Sequence, residues 1–303
     1  MKVCDAHCHF FSPRFFTTIY TRRSGREALE ELRETLKWDI DDNPEDLARR
    51  WARELDRNEV SRAALIASVP GDAESVAEAL SIIPDRFVGF FMVDPSAEGA
   101  ARAVRRALEE WRLQCVCLFP AMHGFSLQDE HLEPIVQAVK EQWKCALFVH
   151  CGALSVGVRK KLGLPSPFNL RLSNPLDVHW LASRHPEVPI IVPHFGAGMF
   201  REALLAADLC PNIFFDTSSS NGWIRYQPGL SLRQVFETSL EVLGPERLLF
   251  GTDSSFFPRG WQKGILETQS GILNDLNLSE GEKAAILGGN FERLFGSRSG
   301  QTE

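Results

Sequence analysis

Met1-Lys-Val-Cys-Asp5-Ala-His7-Cys-His9 begins as a largely apolar run and ends in two imidazoles. Read as a β-strand, its side chains alternate between faces with a period of two, so His7 and His9 point the same way. Two imidazoles side by side can hold a divalent metal once other strand ends supply the remaining ligands. Later apolar runs stop in the same manner. Cys145-Ala-Leu-Phe-Val-His150 and Val188-Pro-Ile-Ile-Val-Pro-His194 each end in a histidine closely followed by glycine, and Arg247-Leu-Leu-Phe-Gly-Thr-Asp253 ends in a carboxylate.

Working outward, apolar strand-like runs fall at 2–7, 61–67, 87–93, 113–119, 145–150, 188–192, 212–216 and 248–252. Amphipathic helical patterns separate them at 44–57, 72–83, 97–111, 129–143, 175–185, 199–207 and 230–243. Asn43-Pro44 and Asn174-Pro175 supply a capping side chain followed by a first-turn proline. Eight runs that are apolar throughout, rather than alternating in polarity, are strands buried on both faces. Eight such strands interleaved with helices predict a closed parallel (β/α)8 TIM barrel spanning 1–303 as one domain, with an open doubly wound sheet as the competing architecture. In a barrel, functional groups gather at the C-terminal strand ends, so His7, His9, His150, His194 and Asp253 converge on one mouth. Residues 10–43 form a connection longer than a usual βα loop. It carries aromatic and basic residues (Phe15, Phe16, Arg22, Arg23, Trp38) and reads as an active-site lid or insertion, or else as a disordered or dimer-contact loop.

With 303 residues and 44% hydrophobic content the chain can bury an extensive core. A net charge of −7 without any basic tract argues against nucleic acid and anionic membrane as partners. There is no apolar run of the roughly 20 residues that span a bilayer, and no signal-peptide pattern, so the expected location is the cytoplasm. Seven cysteines, an odd number lying mostly on strands, read as reduced buried thiols rather than metal ligands, because no Cys-x-x-Cys pair occurs.

The ordered set Asp5-Ala-His-Cys-His9, Phe148-Val-His-Cys-Gly152, Val192-Pro-His-Phe-Gly196, Phe215-Asp-Thr-Ser-Ser219, Phe250-Gly-Thr-Asp-Ser-Ser255 and Gly289-Asn-Phe-Glu-Arg-Leu-Phe295 resembles the amidohydrolase superfamily. Within it, the chain is most similar to the amidohydrolase-2 branch of aminocarboxymuconate-semialdehyde decarboxylase-like proteins. The resemblance covers nearly the whole chain. It implies that His7, His9, His150 and Asp253 bind the metal, with His194 a further ligand or a catalytic group. Many amidohydrolases bridge two metals through a carboxylated lysine on the fourth strand. Here that strand reads Leu113-Gln-Cys-Val-Cys-Leu-Phe-Pro120, which implies one metal. Imidazole and carboxylate suit zinc, the preferred ion, and also manganese or iron.

A divalent metal lowers the pKa of its water toward roughly 7. Asp253 is then expected to take the water's proton and pass it to the leaving group, while His194 polarises the substrate carbonyl or steadies the charge that develops on it. This predicts hydrolysis of a lactone, ester or amide of a small organic acid. Non-oxidative decarboxylation of an unsaturated or aromatic acid, or hydration, is the alternative that the resemblance implies, and a non-catalytic metal-binding protein is the remaining one. Arg225 and Arg259 follow the seventh and eighth strands and are candidates for a substrate carboxylate, as are Arg22 and Arg23 in the insertion. Trp223, Tyr226, Phe256 and Phe257 are candidate pocket walls, and His123, just beyond strand four, is a candidate substrate contact. Asp216 is expected to orient a ligand histidine or to hold loop amides. Asp5 is expected to brace the site or the barrel. His131, His179 and His185 read as structural or solvated. The resemblance and the frequency of two-fold assemblies suggest a homodimer.

Overall fold

A computed structural model describes residues 1–20 and 26–296. Its eight strands are β1 (Val3–Phe10), β2 (Val60–Ala67), β3 (Phe87–Val93), β4 (Cys115–Leu118), β5 (Ala146–Val149), β6 (Ile190–Val192), β7 (Ile213–Asp216) and β8 (Leu248–Leu249). All neighbours pair in parallel, in the order β1 to β8. The ring between β8 and β1 is completed by single hydrogen bonds rather than by a ladder. Ala6 N–H donates to the Phe250 carbonyl at 2.8 Å, Asp253 N–H to His7 at 2.9 Å and His9 N–H to Ser254 at 2.7 Å. The architecture is the expected (β/α)8 barrel, nearly closed.

The helix at Pro44–Arg57 follows the predicted bounds, starting where the Asn43 side chain accepts from the Asp46 N–H with Pro44 at the first helical position. Helices at Ala73–Ile82, Pro175–Arg184, Phe200–Leu209 and Leu232–Leu243 match their patterns to within two residues. The pattern at 129–143 resolves into a 3-10 turn and a shorter helix, Glu133–Lys140. The late strands are shorter than their apolar runs, and the reasons are local. Pro189 and Pro193 have no N–H for the ladder around β6. Beyond Leu249, the Phe250 N–H turns to the Ile286 carbonyl at 3.0 Å instead of joining a strand. Conversely, β1 runs on past His7 to Phe10, so both of its histidines lie within the strand.

The core has layers that match this topology. Inward-facing residues of the strands, including Ala64, Phe90, Cys117, Phe148, Ile191 and Leu249, fill the barrel interior. A larger cluster packs the strands against the surrounding helices. The 10–43 connection is built on a core of its own. Its helices at Pro13–Ile19 and Arg26–Leu36 bury Phe15, Phe16, Leu32 and Trp38 beside Val69 and Val158. Arg22 and Arg23 lie outside the described residues.

Candidate active site

Four imidazoles and one carboxylate meet at the C-terminal strand ends. They line a cavity of about 640 Å³. Alternation along β1 places His7 and His9 on one face, with their Nε2 atoms 3.4 Å apart. Asp253 Oδ1 lies 3.1 Å from His9 Nε2 and 3.7 Å from His7 Nε2. Backbone strain accompanies the convergence, since His194 and Asp253 adopt left-handed conformations with φ of 55° and 59°. Gly251 is required by crowding: a Cβ there would stand 2.8 Å from Asp216 Oδ1 and 3.1 Å from the His7 Cβ.

The partners of the ring nitrogens fix the tautomers. His7 Nδ1 is 2.6 Å from Asp216 Oδ2, and because a carboxylate only accepts, that nitrogen carries the proton. His9 Nδ1 is 2.7 Å from Ser68 Oγ. The Ser68 hydroxyl itself donates to the Ile66 carbonyl at 2.9 Å, so His9 too donates from Nδ1. Both Nε2 atoms therefore present lone pairs toward a carboxylate oxygen. These three acceptors, all within 4.8 Å of one another, repel unless a cation lies between them. His150 adds a buried Nδ1 with no hydrogen-bond partner among the described residues, stacked beside Phe119 at 5.2 Å. Such an orphan costs about 1–3 kcal/mol unless another group engages it. Neutral imidazoles with one carboxylate fit a divalent first-row ion.

Burial sets the protonation states against local charge. It pushes the His7 imidazole down, but the adjacent Asp216 carboxylate outweighs it and holds His7 above the ordinary value. For His9, His150 and His194 burial outweighs the pull of the Asp253 carboxylate and keeps all three below theirs, which favours the neutral form that a ligand needs. Burial would raise Asp253, yet the close approach of His9 and the other neighbouring imidazoles pulls it well below the usual carboxylate range. His194 Nδ1 faces the Ser218 carbonyl at 3.2 Å and the Ser218 hydroxyl at 2.9 Å, and that hydroxyl is also 3.0 Å from His7 Nδ1.

Arg225, Arg259, Trp223, Tyr226 and Phe256 all line the cavity. Phe257 turns away and tilts against Trp51 at 4.9 Å. His123 is not in the lining either: it is half-buried near Asp94 and the Val93 backbone, and burial lowers its pKa. Asp216 orients His7, and Asp5 braces the barrel seam by accepting from Thr252 Oγ1 at 2.5 Å and Trp261 Nε1 at 2.7 Å. All seven cysteines are free and buried. Sequence reasoning did not pick out Ser68, Ser218 or Lys161. The serines stand at strand ends like the histidines, which is the one signal that pointed to them. Lys161 follows β5 on the short helix Gly157–Lys161 and carries no motif.

Residues 4–297 match the family model described as amidohydrolase. The chain belongs to the amidohydrolase-2 family. Among curated proteins, Protein fluG of Emericella nidulans is 31% identical over 90 residues, a match covering 30% of this chain and 10% of that protein, so the amidohydrolase chain spans about a tenth of that relative's length. Several solved structures share the barrel. 5-Carboxyvanillate decarboxylase of Novosphingobium aromaticivorans, complexed with manganese and 4-hydroxy-3-methoxy-5-nitrobenzoic acid, is 16% identical with a TM-score of 0.65, covering 97% of this chain and 96% of that one. A probable 2-pyrone-4,6-dicarboxylic acid hydrolase of Acinetobacter baumannii with citric acid bound is 15% identical (TM-score 0.64; 98% and 100%). 4-Oxalomesaconate hydratase of Rhodopseudomonas palustris is 17% identical (TM-score 0.61; 97% and 95%). No helix among the described residues is long and apolar enough to cross a membrane.

Proposed function

We propose that this amidohydrolase is a metal-dependent hydrolase that opens a lactone, ester or amide of a small organic acid, using one divalent ion, with zinc or manganese the best fits. The observation that carries this reading is the meeting of His7 Nε2, His9 Nε2 and Asp253 Oδ1, three acceptors with nothing but a cation to share. It lies beneath a cavity whose only carboxylate among the described residues is Asp253 and whose wall includes Lys161, Arg225 and Arg259. His7, His9 and Asp253 would hold the ion, with His150 alongside. A divalent ion held there supplies Lewis acidity, polarising a substrate oxygen and lowering the pKa of a water. The residues then divide the proton work. Asp253, held as a carboxylate, accepts the proton of the attacking water and returns it to the leaving group. With its Nδ1 proton directed at the Ser218 carbonyl, neutral His194 offers a lone pair at Nε2. It is therefore suited to taking a proton, and can steady a developing negative charge only after it has done so. The cations bind the substrate carboxylate.

Decarboxylation of an unsaturated or aromatic acid is the second reading, favoured by the aromatic cavity wall of Phe11, Phe119, Trp223 and Phe256. The test is a panel of lactones and unsaturated or aromatic carboxylic acids given to metal-loaded protein, with acid production and carbon dioxide release followed in parallel and Asp253→Asn as background. Acid production without carbon dioxide is the expected result. Carbon dioxide release would replace hydrolysis by decarboxylation, and substrate loss with neither product would indicate hydration.

A further inference from the structure

The order of the strands divides the cavity into two chemically different sectors. β1 and the connections after β6, β7 and β8 bring His7, His9, His194, Arg225, Asp253 and Arg259 to its wall. Across the barrel, among the described residues, β3 and β4 send it only Met92, Phe119 and Met122. The polar residues nearest those two strand ends are turned away. Asp94 accepts from the Ser96 N–H at 3.0 Å and the Ser96 hydroxyl at 2.6 Å, His123 lies near Asp94, and neither lines the cavity. Met92 is buried within the barrel-interior cluster that holds Phe90, Phe119 and Phe148, and half-buried Met122 packs against the same cluster. These side chains do more than cap the core, because they border the same open volume as the imidazoles. Phe119 stacks on His150 at 5.2 Å, so the apolar sector begins at the edge of the proposed ligand set. Two of the chain's four methionines thus face one cavity. An unbranched, polarizable thioether shapes itself to a hydrocarbon group of varied outline, whereas a charged group seated there would lose its water and gain no partner.

From this we infer that Met92 and Met122 are specificity residues for an uncharged alkyl group of the substrate. That group is seated over β3 and β4 while a single carboxylate faces the arginines that follow β7 and β8. The inference rests on the carboxylate-substrate reading above and adds the nature of the substrate's other end, a flexible hydrocarbon without a second charge. Methionines with a merely structural role, filling the top of the core, would affect short and long acids alike.

The probes are butanoate, octanoate and octanedioate, titrated by calorimetry into the zinc-loaded protein and its Met92→Gln, Met122→Gln and Met122→Lys variants. The parent protein should bind octanoate at least about tenfold more tightly than butanoate, which takes less than half the transfer free energy of the four added methylenes. Octanedioate should bind more weakly than octanoate, because its second carboxylate would be stripped of water against Met92, Phe119 and Met122. Each glutamine variant should lose most of the octanoate advantage. Met122→Lys, at a half-buried position that tolerates a long polar side chain, should reverse the order and favour octanedioate, which keeps the test open if a polar group at Met92 disturbs the core. A smaller octanoate advantage in the parent protein, octanedioate bound as tightly as octanoate, or variants that leave the ratio unchanged or weaken both acids equally would overturn the inference while leaving the carboxylate reading standing. If no acid binds the zinc-loaded parent, the carboxylate reading itself fails and takes this inference with it.

Discussion

At the scale of single residues, the site is a problem in who donates. Asp216 and Ser68 each take an Nδ1 proton, and that leaves His7 and His9 with lone pairs aimed at the Asp253 carboxylate. Replacing Asp216 by Asn removes the charge that holds His7 in this tautomer and makes its imidazole basic. Metal affinity should fall about 10–100-fold, measured by competition with a chromophoric chelator, with the melting temperature as a control for folding. Unchanged affinity would mean that Asp216 only ties loop amides, such as the Ser218 N–H at 2.7 Å. The histidines and Asp253 were legible in the sequence because strand periodicity fixes which side chains share a face. Ser68 and Ser218 were not, since a serine at a strand end has the same appearance whether it orients an imidazole or meets solvent. His123 shows the converse: its place after strand four suggested the mouth, but the turn beginning at Pro120 carries it toward Val93 and Asp94.

At the scale of elements, the barrel positions the site and the 10–43 insertion covers it. The strands could be read from apolar runs bounded by turns. The insertion was legible as a long aromatic connection, but its two helices were not, because its aromatic residues pack on one another and on Phe256 rather than on the barrel core, so no regular period marks them. Its first helix is anchored through Asp72. That buried carboxylate accepts from Ser75 at 2.5 Å and from Ser12 at 2.7 Å, and Ser12 in turn caps the helix by accepting from the Phe15 N–H. Burial, only partly offset by these hydroxyls, pushes the Asp72 carboxyl from its ordinary 3.8 up to about 6. Because the folded-state value is raised, the stability this group contributes is fully present below pH 3.8 and is lost as the pH rises through about 6. The difference in unfolding free energy between the parent protein and Asp72→Asn should therefore fall by up to about 3 kcal/mol between pH 4 and pH 7. Urea melts at a series of pH values read this directly, and a flat or rising difference would refute the assignment.

At the scale of the whole molecule, one seam holds the site together. β8 supplies only Leu248 and Leu249 to the sheet, and the chain then crosses to β1 through isolated hydrogen bonds while Asp5 accepts from Thr252 and Trp261. Asp253 thus meets His7 and His9 because the barrel closes at that point. A sequence read as eight strands foretells that the ends converge, but not how short the closing ladder is, since that depends on the distant Ile286 carbonyl capturing the Phe250 N–H. The account as a whole requires that the convergence bind one ion. Metal-free protein dialysed against zinc or manganese and measured by inductively coupled plasma mass spectrometry should hold one equivalent per chain. That equivalent should be lost in correctly folded His9→Ala and Asp253→Ala variants. No retained metal in the parent protein, or retention undiminished by both substitutions, would contradict the central claim.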